Sequence, residues 1–114
     1  MKAIFSVGLN VGQAELPRQL TLTLYHLVSR VTVRDLYVGG SQWQGIPERF
    51  VQVAALVPPD VSPDTVAREL AVELRQSCVA VLNRAGNCWR LIDRDGQVEQ
   101  GAPVAEFPVY VTWS

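Results

Sequence analysis

His26 is the only histidine in the chain, and so the first candidate for a general base. A general base needs a partner that orients it. No Ser, Cys or carboxylate stands at a spacing that pairs with His26 in sequence, so it reads as a helix-surface or helix-end residue whose partner would have to come through the fold. Two cysteines follow, Cys78 and Cys88. Neither sits in a CxxC pair, and one histidine makes no zinc cluster. Cys78 falls on the apolar stripe of an expected helix and reads as a small buried hydrophobe, inert to thiol reagents. Cys88 opens a strand beside Trp89. Free thiols are the simpler reading for both. Asp93-Arg94-Asp95-Gly96 begins as a calcium loop does, yet the twelfth position counted from Asp93 is Val104, not Glu. It reads as a turn held by aspartate side chains. Gly8, Gly12, Gly39 and Gly40 lack the GxGxxG or Walker spacing of a phosphate loop.

The segment Trp43-Gln44-Gly45-Ile46-Pro47-Glu48-Arg49 has the composition of a binding surface: tryptophan beside Gln, Glu and Arg. Trp43, Arg49, Tyr37 and His26 are therefore the candidate binding residues. The alternative is that Trp43 caps the sheet edge and packs on its own domain. No catalytic residue, metal site or cofactor is assigned.

The elements that must position these residues follow from patterning. Lys2–Val11 reads as a central strand, since its apolar residues run almost unbroken. Glu15–Arg30 fits two templates. Leu20 to Leu24 alternates with threonine, but Leu16, Leu20, Leu24, Leu27 and Val28 also form a helical stripe, with Pro17 in its first turn. We assign helix, because a crossover of about a dozen residues is needed there. Val31–Trp43 and Glu48–Val57 read as strands, joined by a loop over Gly39–Pro47. Ser62 is an N-cap and Pro63 a first helical residue. The second helix is expected over Pro63–Asn83, with Leu70 and Leu74 buried. Asn87–Ile92 is the fourth strand, Gln97–Gln100 a short hairpin return, and Phe107–Trp113 a final strand.

That order predicts an α+β domain spanning 1–114: a ferredoxin-like βαββαβ plait, its antiparallel sheet carrying two helices on one face, with a C-terminal hairpin or strand extension. The element order is similar to that of PII-like signalling proteins and their trimeric relatives, where the loop between the second and third strands works at subunit boundaries. The likeness is one of topology, and a fold of this kind transfers no activity.

Composition narrows the function. The 114 residues are 48% hydrophobic and only 18% charged, with a formal net charge of −1. Basic residues interleave with acids, as in Arg34-Asp35 and Glu48-Arg49, which disfavours nucleic-acid binding by phosphate neutralisation. No apolar window reaches the ~20 residues of a membrane span. No signal segment is evident, and a cytoplasmic location is expected. The first and third strands are apolar on both sides, so the sheet face away from the helices needs a cover: the C-terminal segment, a second subunit, or both. The first functional expectation is a non-enzymatic accessory or binding protein, regulatory in kind and acting as a homo-oligomer on an unknown small molecule or protein. The second is a small enzyme assembling its site between subunits from His26, Tyr37, Arg49 or Asp35. The third is a single-stranded nucleic-acid binder using Trp43, Tyr37, Arg34 and Arg49.

Overall fold

The elements follow one another as β1 (Lys2–Gly8), α1 (Leu16–Val28), β2 (Thr32–Trp43), β3 (Ile46–Leu56), α2 (Pro63–Glu73), β4 (Cys78–Asn83), β5 (Cys88–Asp93) and β6 (Val98–Pro103). The computed structural model describes residues 1–9, 13–43, 45–83 and 86–112, and only the backbone of 13, 41–43 and 46. All six strands form one sheet in the order β2-β3-β1-β4-β5-β6, each neighbouring pair antiparallel. The molecule is thus α+β, and its sheet carries more strands than a βαββαβ unit supplies. Among the described residues no helix is long and apolar enough to cross a membrane.

β1 is buried from Ala3 to Val7 because it has a strand on each edge and cover on each face. One face packs on the helices: Phe5, Val7, Val51, Val53, Val79 and Val81 meet Leu27, Val66 and Leu70. α1 forms where expected. Thr21 and Thr23 satisfy their hydroxyls on the carbonyls of Pro17 and Gln19, so the threonines that hinted at a strand are accommodated in the helix. Val28, placed on the core stripe by its spacing, is 60% exposed. Arg30 ties the two helices through Glu69 at 2.6 Å.

α2 starts as read: the Ser62 hydroxyl accepts from the Asp64 N–H, and Pro63 opens the helix. Its end differs. The helix stops at Glu73, ten residues short of Asn83. Arg75 takes φ 55°, its N–H bonds the Val72 carbonyl, and the Gln76 N–H bonds the Ala71 carbonyl. This is a Schellman closure with arginine where glycine is usual. Leu70 is fully buried; Leu74, the C-cap, is only partly so. The residues beyond become β4, and it is β4, not Asn87–Ile92, that pairs with β1.

Other boundaries shift too. Gly39 and Gly40 lie inside β2, and the ladder runs on to Trp43 opposite Ile46, so the expected loop over 39–47 shrinks to a tight hairpin with Gly45 at φ 80°. A Cβ on Gly39 would meet the Tyr37 ring at 2.6 Å, which explains glycine there. The Asp93 carboxylate accepts from the N–H groups of Asp95 and Gln97, holding the β5–β6 turn as the aspartate reading required.

Residues 107–112 are not a strand, and Trp113, the end of the expected one, lies outside the described residues. They cross the sheet face opposite the helices, where Val111, Phe107 and Val109 pack with Ile4, Ala54, Leu82 and Trp89. Pro108 lacks the N–H a ladder needs. Side chains hold the segment instead. Gln52, wholly buried on β3, donates to the Pro108 carbonyl at 2.8 Å and accepts from the Tyr110 N–H at 2.9 Å. The Trp89 indole donates to the Phe107 carbonyl, and Asp35 accepts from the Thr112 N–H. The chain therefore covers its own open face with its C-terminal segment.

Candidate functional site

The cover is incomplete. Beside it the same face holds a cleft of about 270 Å³, near the lower bound of small-molecule sites. Strand alternation builds its floor. Ser6 and Gly8 come from β1, and Cys78 and Ala80 from β4; all are small, and this leaves the space. Phe50, Trp89 and Phe107 supply aromatic walls, and Glu48 and Glu106 supply carboxylates. Phe107 and Trp89 have ring centroids 5.3 Å apart, and Phe107 meets Phe50 edge-on at 4.9 Å. The ring row continues through Phe50 to Tyr37, which stacks on Tyr110 at 4.7 Å.

Among the described residues three polar ones are buried: Ser6, Thr23 and Gln52. Thr23 and Gln52 are satisfied within the chain. Ser6 is 7% exposed and lines the cleft, while the buried side-chain polar atom without a partner among the described residues is Asn83 Oδ1. Cys78 stands with Ser6 in the lining. Burial pushes its thiol pKa up; a hydrogen bond with Ser77 opposes it in part, and the carboxylates of Glu99, Asp93 and Glu48 each add a smaller upward push. The resting group is a neutral thiol, a poor nucleophile.

Cys78 is thus half-buried on a strand facing a cleft, not sealed on a helix as its spacing suggested. It cannot bond Cys88. The register pairs Cys78 with Asp93, which puts Cys88 five residues along the hairpin, or about 17 Å away against a limit near 7 Å.

Of the four candidate binding residues, Tyr37, Arg49 and His26 do not converge within the chain. Tyr37 lies on the open face beneath Tyr110. Arg49 alternates onto the opposite face, with Val51. His26 sits on α1, its ring edge-on to Tyr25 and its carbonyl accepting from Arg30. Trp43 ends β2, and its side chain lies outside the described residues. Asp35 is engaged by the N–H groups of Thr112 and Leu36, which hold its carboxyl below the ordinary aspartate range. The aromatic face that single-stranded nucleic acid would need is occupied by the chain's own tail. Among the described residues of the segment singled out by composition, only Glu48 reaches the cleft. Among the described residues no group of three or more His, Cys, Asp or Glu side chains could hold a metal ion.

No family model matches this chain, and no curated protein matches it. Among solved structures, a phage SAM lyase in the apo state matches over 89% of this chain and 87% of that chain, with 18% identity and a TM-score of 0.40. A likeness of that degree assigns neither a fold family nor a function.

Proposed function

We propose that this protein is a non-enzymatic binding protein that takes a small molecule in the cleft between the sheet and its C-terminal segment. The observation that carries the reading is the cleft of about 270 Å³ itself, floored by the small residues Ser6, Gly8, Cys78 and Ala80 and walled by Phe50, Trp89 and Phe107. The neutral thiol of Cys78 and the dispersal of His26, Asp35 and Arg49 favour binding over catalysis. β1, β2, β3 and β4, in the spatial order β2-β3-β1-β4 with two helices on one face, support a ferredoxin-like core that β5 and β6 extend. We further propose self-association along β2, an edge strand whose Leu36 is exposed, as are Tyr25 and Val28 of α1. Light scattering at micromolar concentration tests that part, and a monomeric mass overturns it. For the cleft, a fragment screen by NMR should give ligands that shift the Trp89 indole resonance and lose affinity in Ala80→Leu, which fills the floor. A screen in which no compound perturbs cleft residues overturns the binding reading.

A further inference from the structure

We propose that residues 107–112 are a strap that lifts from the sheet as one unit and so gates the cleft. The inference deepens the reading of the cleft as a binding site and rests on it. Two observations carry it. The first is how the strap is held. The N–H groups of Glu106 and Phe107 share the Pro103 carbonyl in a turn, and beyond that turn the backbone joins no ladder among the described residues. Side chains from three separate strands clasp it instead. The Trp89 indole donates to the Phe107 carbonyl, the Gln52 amide holds Pro108 and Tyr110, and the Asp35 carboxylate holds the Thr112 N–H. Phe107, Val109 and Val111 supply its inward packing, and of these only Val111 is buried. A segment with so little buried apolar contact opens at a lower free energy than β1, which is buried and paired on both edges. The second observation is what the strap covers. Phe107 is both its first residue and a wall of the cleft, seated between the rings of Phe50 and Trp89. Lifting the strap removes that wall and joins the cleft to the sheet face over Phe50 and Tyr37. A ligand that fits the closed cleft stabilises the closed strap by the same factor by which closure tightens its binding.

Hydrogen exchange of the unaltered protein tests the strap without a ligand, so its outcome is separable from that of the fragment screen. The clasps hold three reporter hydrogens: the Trp89 indole N–H and the Tyr110 and Thr112 amides. Corrected for intrinsic rates, all three should share one protection factor, lower than that of the β1 amides. Asp35→Ala removes the clasp on β2, outside the cleft lining. It should speed all three together by roughly tenfold, the loss of a hydrogen bond to a charged acceptor. Iodoacetamide modification of Cys78 should speed by the same factor, and that of Cys88 should not change. Protection equal to that of β1 means that the segment leaves only when the whole fold does, and overturns the strap. Unequal factors, or a Trp89 indole that Asp35→Ala does not speed, mean fraying and overturn it too. An unchanged Cys78 rate beside faster strap hydrogens overturns the gate. Each of these results leaves the binding cleft standing. A fragment screen that fails while the three hydrogens behave as expected overturns the binding site and leaves the strap's motion standing.

Discussion

Cys78 shows how one position changes meaning with its neighbours. Its spacing from Leu70 and Leu74 is helical, yet the structure sets it on β4 with its sulfur toward a cleft. Low reactivity is still expected, for a different reason: burial and surrounding carboxylates keep the proton on sulfur. Iodoacetamide should therefore modify Cys78 in the folded protein more slowly at neutral pH than in the unfolded chain, with the rate climbing only above the ordinary thiol range near pH ~8.5. A native rate equal to the unfolded one would contradict that environment. Arg75 carries a second residue-scale expectation. At φ 55° its side chain bears a left-handed penalty that glycine escapes. Arg75→Gly should raise stability by about 0.5–1 kcal/mol in urea denaturation. A loss would mean that the arginine side chain outweighs the backbone strain.

At the level of elements, the sequence disclosed most where pattern and length agreed. β1, α1, β2, β3 and the capped start of α2 were all legible, because the burial that makes them also dictates their residue types. The end of α2 was not. Leu74, Cys78, Val81 and Leu82 continue a helical period, while Val79 and Val81 serve a strand equally well, and the stop is a backbone conformation at an arginine. The tail was half legible. Its apolar residues announced a cover, but its hydrogen bonds run to Gln52, Trp89 and Asp35, which lie far away in sequence. The cleft was hidden for the same reason: Ser6, Glu48, Cys78, Trp89 and Glu106 come from separate segments. One sign was visible, a glutamine in the middle of the apolar run Phe50–Val57. The Asp35 clasp predicts acid behaviour. The Thr112 N–H lowers the Asp35 pKa most, so the clasp contributes fully above the ordinary value of about 3.9 and is lost as pH falls through the lower folded value. An NMR titration of the Thr112 amide should show a midpoint below about pH 3.9, absent in Asp35→Asn. A midpoint at or above that value would remove the clasp.

For the whole molecule, the two faces of the sheet are closed by different means. The helices close one chiefly with side-chain packing, edged by the Arg90–Asp64 ion pair, while the tail closes the other through an amide that stands in for a neighbouring strand. Gln52→Leu should therefore cost about 2–4 kcal/mol although it adds apolar volume, because it strands the Pro108 carbonyl and the Tyr110 N–H in a buried layer. Thermal melting followed by near-ultraviolet circular dichroism checks this, and an unchanged or raised midpoint would show that the tail's packing suffices without the amide.

The same arrangement imposes an order on biosynthesis. Residue 52 meets residues 108 and 110 across separations of 56 and 58 positions, and residue 35 meets 112 across 77. A ribosome releases the sheet's strands before the segment that shields them, at roughly 5–20 residues per second. For that interval the nascent chain displays Ile4, Ala54, Leu82 and Trp89 to the surrounding solution. The interval is when this chain is most open to capture by a chaperone, and it ends only as residues 107–112 clear the exit tunnel.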